Sequence, residues 1–301
     1  MTDTTHPGWR LARVGLAAAI VSRVFSRLVG IVLVVVLARQ ASTDTVAVYG
    51  YLLSTATLVI TLTDLGVATI AGREVAAGRL PVEGALRATL VPQAASLSAA
   101  AVVTVVLTLV LGPATVPPAA LALTVGFVVV GGFNNLCAEL LRGAGRVLLE
   151  GALQMGSAVA LVVGGVLVIK DGGDATDLLL IVLGKEVAVL VAGFALIRPR
   201  RCPGVSGRLL LGKSMWLAVA STVLVLLWRQ GMVVMGAAGS IGALATYVVA
   251  SRFLDAGVTL AQTTGFGLGP GMSALADDQT GLRRAVQRYL GLAAMLGTVV
   301  A

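Results

Sequence analysis

The chain has 301 residues, of which 57% are hydrophobic and 12% charged, with a net charge of +8 and a mean hydropathy of +0.98. A soluble domain carries about twice that charged fraction, so composition excludes a soluble globular protein and assigns the basic balance to membrane-side loops rather than to nucleic acid. Cys137 and Cys202 fit no disulfide framework, and the single histidine, His6, excludes a His-rich metal site, so the sequence calls for no metal and no cofactor.

Apolar runs predict nine spans, at about 14–38, 45–68, 86–111, 117–138, 149–169, 178–197, 214–237, 241–268 and 286–301. Each run is continuously apolar rather than alternating, so the spanning element is helical. The first run is too long for a cleaved leader and is followed by many more spans. It carries Arg23 and Arg27, four residues apart and therefore on one helix face. A charge near the bilayer centre costs roughly 2.5–3.5 kcal/mol on insertion scales, so such residues face a cavity or a partner. Two cations on one face suggest an anion site inside the membrane. Arg23 is the member of the pair that can snorkel to the headgroups, which makes Arg27 the surer cavity residue.

Asp64 falls near the end of the second span. Because spans 1 and 2 are sequential neighbours, it is the expected ion-pair partner of Arg23, with a proton- or cation-responsive role as the alternative. In span 6, Lys185 and Glu186 are adjacent, point in different directions and are expected to meet other helices rather than substrate. Arg229, with Gln230, is deep in span 7 and is expected in the cavity. Arg252 and Asp255, three apart in span 8, can meet on one face as an internal salt bridge. Small residues such as Gly156–Ser157–Ala158 and Gly164–Gly165 allow close helix packing.

Loop charge then sets orientation. The N-terminal tail and the 2–3, 4–5, 6–7 and 8–9 loops hold fifteen Lys and Arg residues, Arg142 and Arg146 among them, against only Arg39 and Lys170 in the opposite loops. That asymmetry predicts a cytoplasmic N-terminus. The basic 6–7 loop contains Pro199, Pro203, Gly204 and Gly207 and divides the chain into an N-terminal six-helix lobe (1–200), an inter-lobe loop (201–213) and a C-terminal lobe (214–301). A weak repeat supports two lobes: Thr45–Val46–Ala47–Val48–Tyr49–Gly50–Tyr51 opens span 2 as Ala243–Leu244–Ala245–Thr246–Tyr247–Val248–Val249 opens span 8. Within the spans five cations (Arg23, Arg27, Lys185, Arg229, Arg252) outnumber three carboxylates. The planar guanidinium fork suits phosphate, so this excess points to an anionic substrate.

The run Ser22–Arg23–Val24–Phe25–Ser26–Arg27–Leu28–Val29–Gly30, continuing to Val36–Leu37–Ala38–Arg39, resembles the first helix of the polysaccharide and lipid-linked-precursor flippases of the MOP superfamily. Val48–Tyr49–Gly50, Thr63–Asp64–Leu65–Gly66–Val67–Ala68 and Arg73–Glu74–Val75–Ala76 resemble its second helix and following loop. Tyr247–Val248–Val249–Ala250–Ser251–Arg252–Phe253–Leu254 and Gly269–Pro270–Gly271–Met272–Ser273 resemble its eighth. The resemblance implies an all-α, MATE-like transporter of two six-helix bundles around a central cavity, working by alternating access. It implies movement of an undecaprenyl-pyrophosphate-linked saccharide to the outer leaflet of a bacterial-type plasma membrane. Arginines of the first and eighth helices are implicated in holding the pyrophosphate, which maps onto Arg23, Arg27 and Arg252. Two departures stand out. Arg229 is followed by Gln230 and Gly231 where members often carry Arg-x-Asp, and the chain ends at Ala301 inside a ninth span where the family has twelve or fourteen. The expected second bundle is therefore incomplete.

The sequence thus predicts a non-enzymatic flippase. Its expected substrate-binding residues are Arg23, Arg27, Arg229 and Arg252, and Asp64 and Asp255 are coupling or structural carboxylates. The expected partners are an anionic lipid-linked saccharide, membrane lipids and cell-envelope polysaccharide biosynthesis enzymes, with no nucleic acid. A MATE-type drug or cation antiporter is the alternative in the same fold, though it calls for an acidic or aromatic cavity. A membrane glycosyltransferase calls for a large outer loop with paired carboxylates, which the span pattern lacks. A non-transporting partial protein is the remaining reading.

Overall fold

The computed structural model describes residues 7–63, 66–113, 115–198 and 240–253, together with 212, 214, 219, 223, 231, 234–237, 255, 281, 283, 286, 287, 290 and 291; for residues 7–19 it describes the backbone alone. The helices run in order as α1 (Pro7–Gln40), α2 (Thr43–Thr63), α3 (Val67–Ala76), α4 (Val82–Leu111), α5 (Pro118–Gly143), α6 (Val147–Lys170) and α7 (Ala175–Ile197). A further apolar helix, α8 (Ile241–Phe253), follows. Six of these are long and apolar enough to cross a membrane: the Ile20–Gln40 part of α1, Thr43–Leu62 of α2, and α4 to α7. They match the first six predicted spans. The predicted seventh and ninth spans, and the end of the eighth, lie mostly outside the described residues.

Helix boundaries follow local chemistry. Ser42 Oγ accepts from the Thr45 amide at 3.1 Å and so caps α2. Pro117 and Pro118 open α5, where a missing N–H costs nothing. Asp174 and Asp177 form a reciprocal capping box at the start of α7, with Asp174 Oδ1 accepting from the Thr176 amide at 2.7 Å.

Two expectations are corrected here. The second span does not run through to residue 68. It stops at Thr63, and Gly66, with φ of 67°, starts the ten-residue α3. A helix of that length rises only about 15 Å, half a hydrocarbon core. It buries Val67, Ala68, Ala71 and Val75 and exposes Arg73, so part of the expected 2–3 loop is an amphipathic helix. Hydropathy misses this break because Val67–Ala68 continues the apolar run across the bend. Second, Arg142 is not a loop anchor. It is a buried residue of the last turn of α5.

Helix α2 is central, with 72% of its span buried, against 11–39% for the others. Val91, Val102, Leu109 and Val110 of α4, Leu167 of α6 and Val191 of α7 point outward, as a bundle solvated by lipid requires. α1 seats chiefly against α6 rather than α2, while α5 packs on α7, α4 and α3. One apolar core joins α2 to α4, α5, α6, α7 and α8; a second joins α3, α4, α5 and the end of α7.

The α3–α5 crossing is glycine-to-glycine. A Cβ on Gly72 would sit 2.8 Å from the Glu139 carbonyl oxygen, and one on Gly143 would strike the Gly72 carbonyl oxygen. Backbone atoms cannot swing aside as a side-chain tip can, so Gly143→Ala should destabilise the bundle by about 1–3 kcal/mol. Gly156→Ala, which meets nothing within 4 Å, serves as the control. Thermal unfolding of the detergent-solubilised protein should show a lower midpoint for Gly143→Ala alone.

Candidate functional site

Four helices bring polar residues onto facing surfaces. On α5, Asn134 and Arg142 are eight residues apart, two turns along one face, with Asn135 beside Asn134. On α6, Glu150, Gln154 and Ser157 follow the same periodicity. Ser26 of α1 and the Lys185–Glu186 pair of α7 complete the ring. Together with Arg23, Thr57 and Phe127 these side chains line a cavity of about 400 Å³, within the range of small-molecule sites.

One end of the cavity is ionic. Arg23 Nη2 reaches Glu150 Oε1 at 3.5 Å, and Arg142 Nη1 reaches the same oxygen at 3.4 Å. Arg142 Nη2 also meets Glu139 at 2.8 Å, one turn back on α5. Glu150 and Arg142 are almost fully buried, and Arg23 is mostly so. In this setting the Coulomb gain must offset desolvation, which two-sided pairing makes feasible. The other end is an amide–ion cluster. Lys185 pairs with Glu186, and Asn134 Nδ2 donates to the Glu186 carbonyl at 2.9 Å and to its carboxylate.

The sequence-predicted residues separate clearly. Arg23 lies in the cavity wall. Arg27, one turn on, is exposed and outside that wall. Arg252 and Asp255 form the expected pair at 3.8 Å, with Asp255 buried, and Tyr49 of α2 sits beside Arg252. That pair lies outside this cavity. Asp64 and Arg229 fall outside the described residues. Arg23 meets Glu150 of α6, the helix on which α1 chiefly packs; the expected pairing of Arg23 with Asp64 lies outside the described residues. Lys185 and Glu186 do not diverge as expected, since their side chains pair; Glu186 meets α5 through Asn134, the expected contact to another helix, and both residues line the cavity.

Sequence reasoning missed Glu139, Arg142, Glu150 and Asn134. The signal was present as two polar stripes at helical spacing, Asn134 to Arg142 and Glu150–Gln154–Ser157, in otherwise apolar helices. Among the described residues the cavity wall carries three cations and two carboxylates, so the intramembrane basic excess is locally almost neutralised.

A family model described as "Polysaccharide biosynthesis protein" matches residues 13–272. No curated protein sequence matches the chain. Among solved structures the fold is similar to MATE in complex with MaL6 (16% identity, 98% of this chain and 73% of that one, TM-score 0.67). It is equally similar to a MOP superfamily transporter from Pyrococcus furiosus (14% identity, 99% and 74%, TM-score 0.67). A third is the MATE multidrug transporter DinF-BH (12% identity, 100% and 73%, TM-score 0.66). At these identities the likeness is one of fold: all-helical, multi-pass and shared with MOP superfamily transporters.

The ion cluster should behave as a unit. Removing one partner of a buried pair costs about 3–5 kcal/mol because a charge is left uncompensated. Glu150→Leu should therefore destabilise more than the double variant Glu150→Leu/Arg142→Met. A double-mutant cycle read by thermal unfolding measures the coupling, and additive effects would contradict a shared network.

Proposed function

The chain belongs to the polysaccharide biosynthesis protein family, and from that premise we propose that it moves an undecaprenyl-diphosphate-linked saccharide from the cytoplasmic to the outer leaflet of a bacterial-type plasma membrane. The observation that carries this reading is the convergence of Arg23 and Arg142 on a single carboxylate oxygen of Glu150. Two guanidinium groups aimed at one oxyanion position inside a membrane bundle form a socket for a second oxyanion. In this reading a phosphate oxygen exchanges with the Glu150 carboxylate for the two arginines, so charge is never left bare in the low-dielectric interior.

Arg27 and Arg252 then serve outside this cavity, along the path of the diphosphate, with Asp255 holding Arg252 when no substrate is near. Arg229 and Asp64 are proposed contributors on the sequence argument. The two-lobe division, with 1–200 and 214–301 rocking about a basic connection, supplies alternating access. Arg146 at the start of α6 donates to the Leu196 carbonyl at the end of α7 at 3.3 Å. The basic ends of these helices therefore share one face, which we take as cytoplasmic. Transport leaves the saccharide chemically unchanged, so no catalytic residue is assigned.

A second reading has a specific observation behind it. Glu150 and Glu186 line the cavity, and carboxylates can hold an organic cation. A drug-type antiporter would use them as its binding groups.

Reconstituted proteoliposomes separate the two. With undecaprenyl-diphosphate-linked N-acetylglucosamine in a leaflet-accessibility assay, the wild type should flip the lipid. Arg23→Ala, Arg27→Ala and Arg252→Ala should each lower the rate at least about tenfold, the loss expected for a charge-assisted contact, with insertion unchanged. Wild-type rates in all three variants would overturn the arginine path. Uptake of a lipophilic cationic dye without lipid movement would favour the antiporter.

A further inference from the structure

The cavity has a second pole whose chemistry is opposite to that of the arginines. Asn134 is nine-tenths buried and lines the cavity wall. Its Nδ2 donates to both the carbonyl and the carboxylate of Glu186. Both partners only accept, the carboxylate being ion-paired with Lys185. The amide is therefore not free to flip: nitrogen must face Glu186, and both of its hydrogens are used. Oδ1 is thereby turned away from α7, and it meets no donor among the described residues.

A buried acceptor without a donor is costly. What could satisfy it is an O–H or N–H group. A phosphate oxygen cannot, since it too accepts. The ionic pole asks for the reverse: Arg23 and Arg142 are pure donors and take an anion. One ligand that serves both poles must carry an oxyanion at one end and hydroxyl or amide donors at the other. Along α5, Asn134 and Arg142 are eight residues apart, about 12 Å of helix axis. Phe127, two turns before Asn134 on the same face, also lines the cavity and offers an apolar ring beside the amide. A ring with hydroxyls at its rim and C–H groups on its face suits that pairing.

We propose that Asn134 is a specificity-determining residue that reads the first sugar of the substrate, accepting a hydrogen bond from a hydroxyl or acetamido N–H while the arginine pole holds the diphosphate. This rests on the transport reading above and deepens it: the cavity selects a glycosylated diphosphate over a bare one. Glu186 and Lys185 are positioning residues, since they fix which way the amide points.

The test compares two probes on the full chain in lipid nanodiscs: undecaprenyl diphosphate, and the same lipid bearing one N-acetylglucosamine. The wild type should bind the glycosylated lipid about tenfold more tightly, the effect of one well-placed hydrogen bond at a buried acceptor. Asn134→Ala should bring that ratio close to one by weakening the glycosylated lipid alone, with the bare lipid bound as before. Arg23→Ala should weaken both lipids by the same factor and leave the ratio intact. A wild-type ratio of one overturns the proposal without any variant being needed. So does a ratio unchanged in Asn134→Ala, which would show that water meets Oδ1, or equal loss of both lipids, which would make Asn134 part of the framework only. Failure of the wild type to bind either lipid removes the transport reading and this inference with it. Binding of both lipids with no preference removes the inference alone.

Discussion

Glu150 is the point at which this bundle is held. One carboxylate oxygen is shared by Arg23 of α1 and Arg142 of α5, so three helices meet at a single buried charge. Apolar burial gives a helix little preference for one rotation in a membrane, because lipid tails are as apolar as leucine. A buried charge can, since any rotation that carries it away from its partners leaves it uncompensated. α1 touches α2 only slightly and seats on α6. Its rotational setting is therefore written mainly in Arg23. The glycine crossing of α3 over α5 acts on the same cluster from the other side, because Gly72 packs against the Glu139 carbonyl and Glu139 in turn holds Arg142.

Much of the first six spans is legible from hydropathy alone, because about twenty apolar residues admit few alternatives. The break at Gly66 is not, since a bend between two apolar segments leaves the average hydropathy unchanged. The site divides along the same line. Arg23 stands in the middle of an apolar run, where a charge is conspicuous. Arg142 and Glu150 stand at span ends, where charges are ordinary and reading them as loop anchors is natural. Only the tertiary fold, which brings these two side chains inward beside Arg23 while Gly145 and Arg146 of the turn between them stay exposed, makes them a buried network. Lys185 and Glu186 mislead for another reason: adjacent Cβ atoms diverge by about 100° on a helix, but their long side chains bend back to meet. Asn134 is harder to read than a charge, because a neutral amide barely perturbs hydropathy and shows only through its helical spacing to Arg142. Its importance lies wholly in which partners exhaust its donors.

The repeat noted between the openings of span 2 and span 8 has a structural counterpart. Gly50 of α2 lies against Val248 of α8, and a Cβ on Gly50 would collide with the valine methyls. These two positions are equivalents in the repeat, each directly following its tyrosine, Tyr49 or Tyr247. Under a two-fold relation, equivalent residues touch one another only at the axis. A glycine facing a valine fills that line without a void, where two valines would clash. In the proposed two-lobe carrier, this line of close contact is where the halves would pivot.

The balance of charge in the cavity bears on how any substrate enters. An open ring of unpaired arginines would bind an anion tightly, but it would be expensive to fold in a low-dielectric interior. Here each cavity cation already has a carboxylate beside it. On the proposed reading, loading is an exchange of one anion for another, and net affinity is the difference between two similar interactions rather than the whole of either. For a carrier this difference is the useful quantity, since a site that only captures would not release on the far side. The paired carboxylates thus offset the cost of burying the cations and, on the proposed reading, keep the loaded bundle from being a trap.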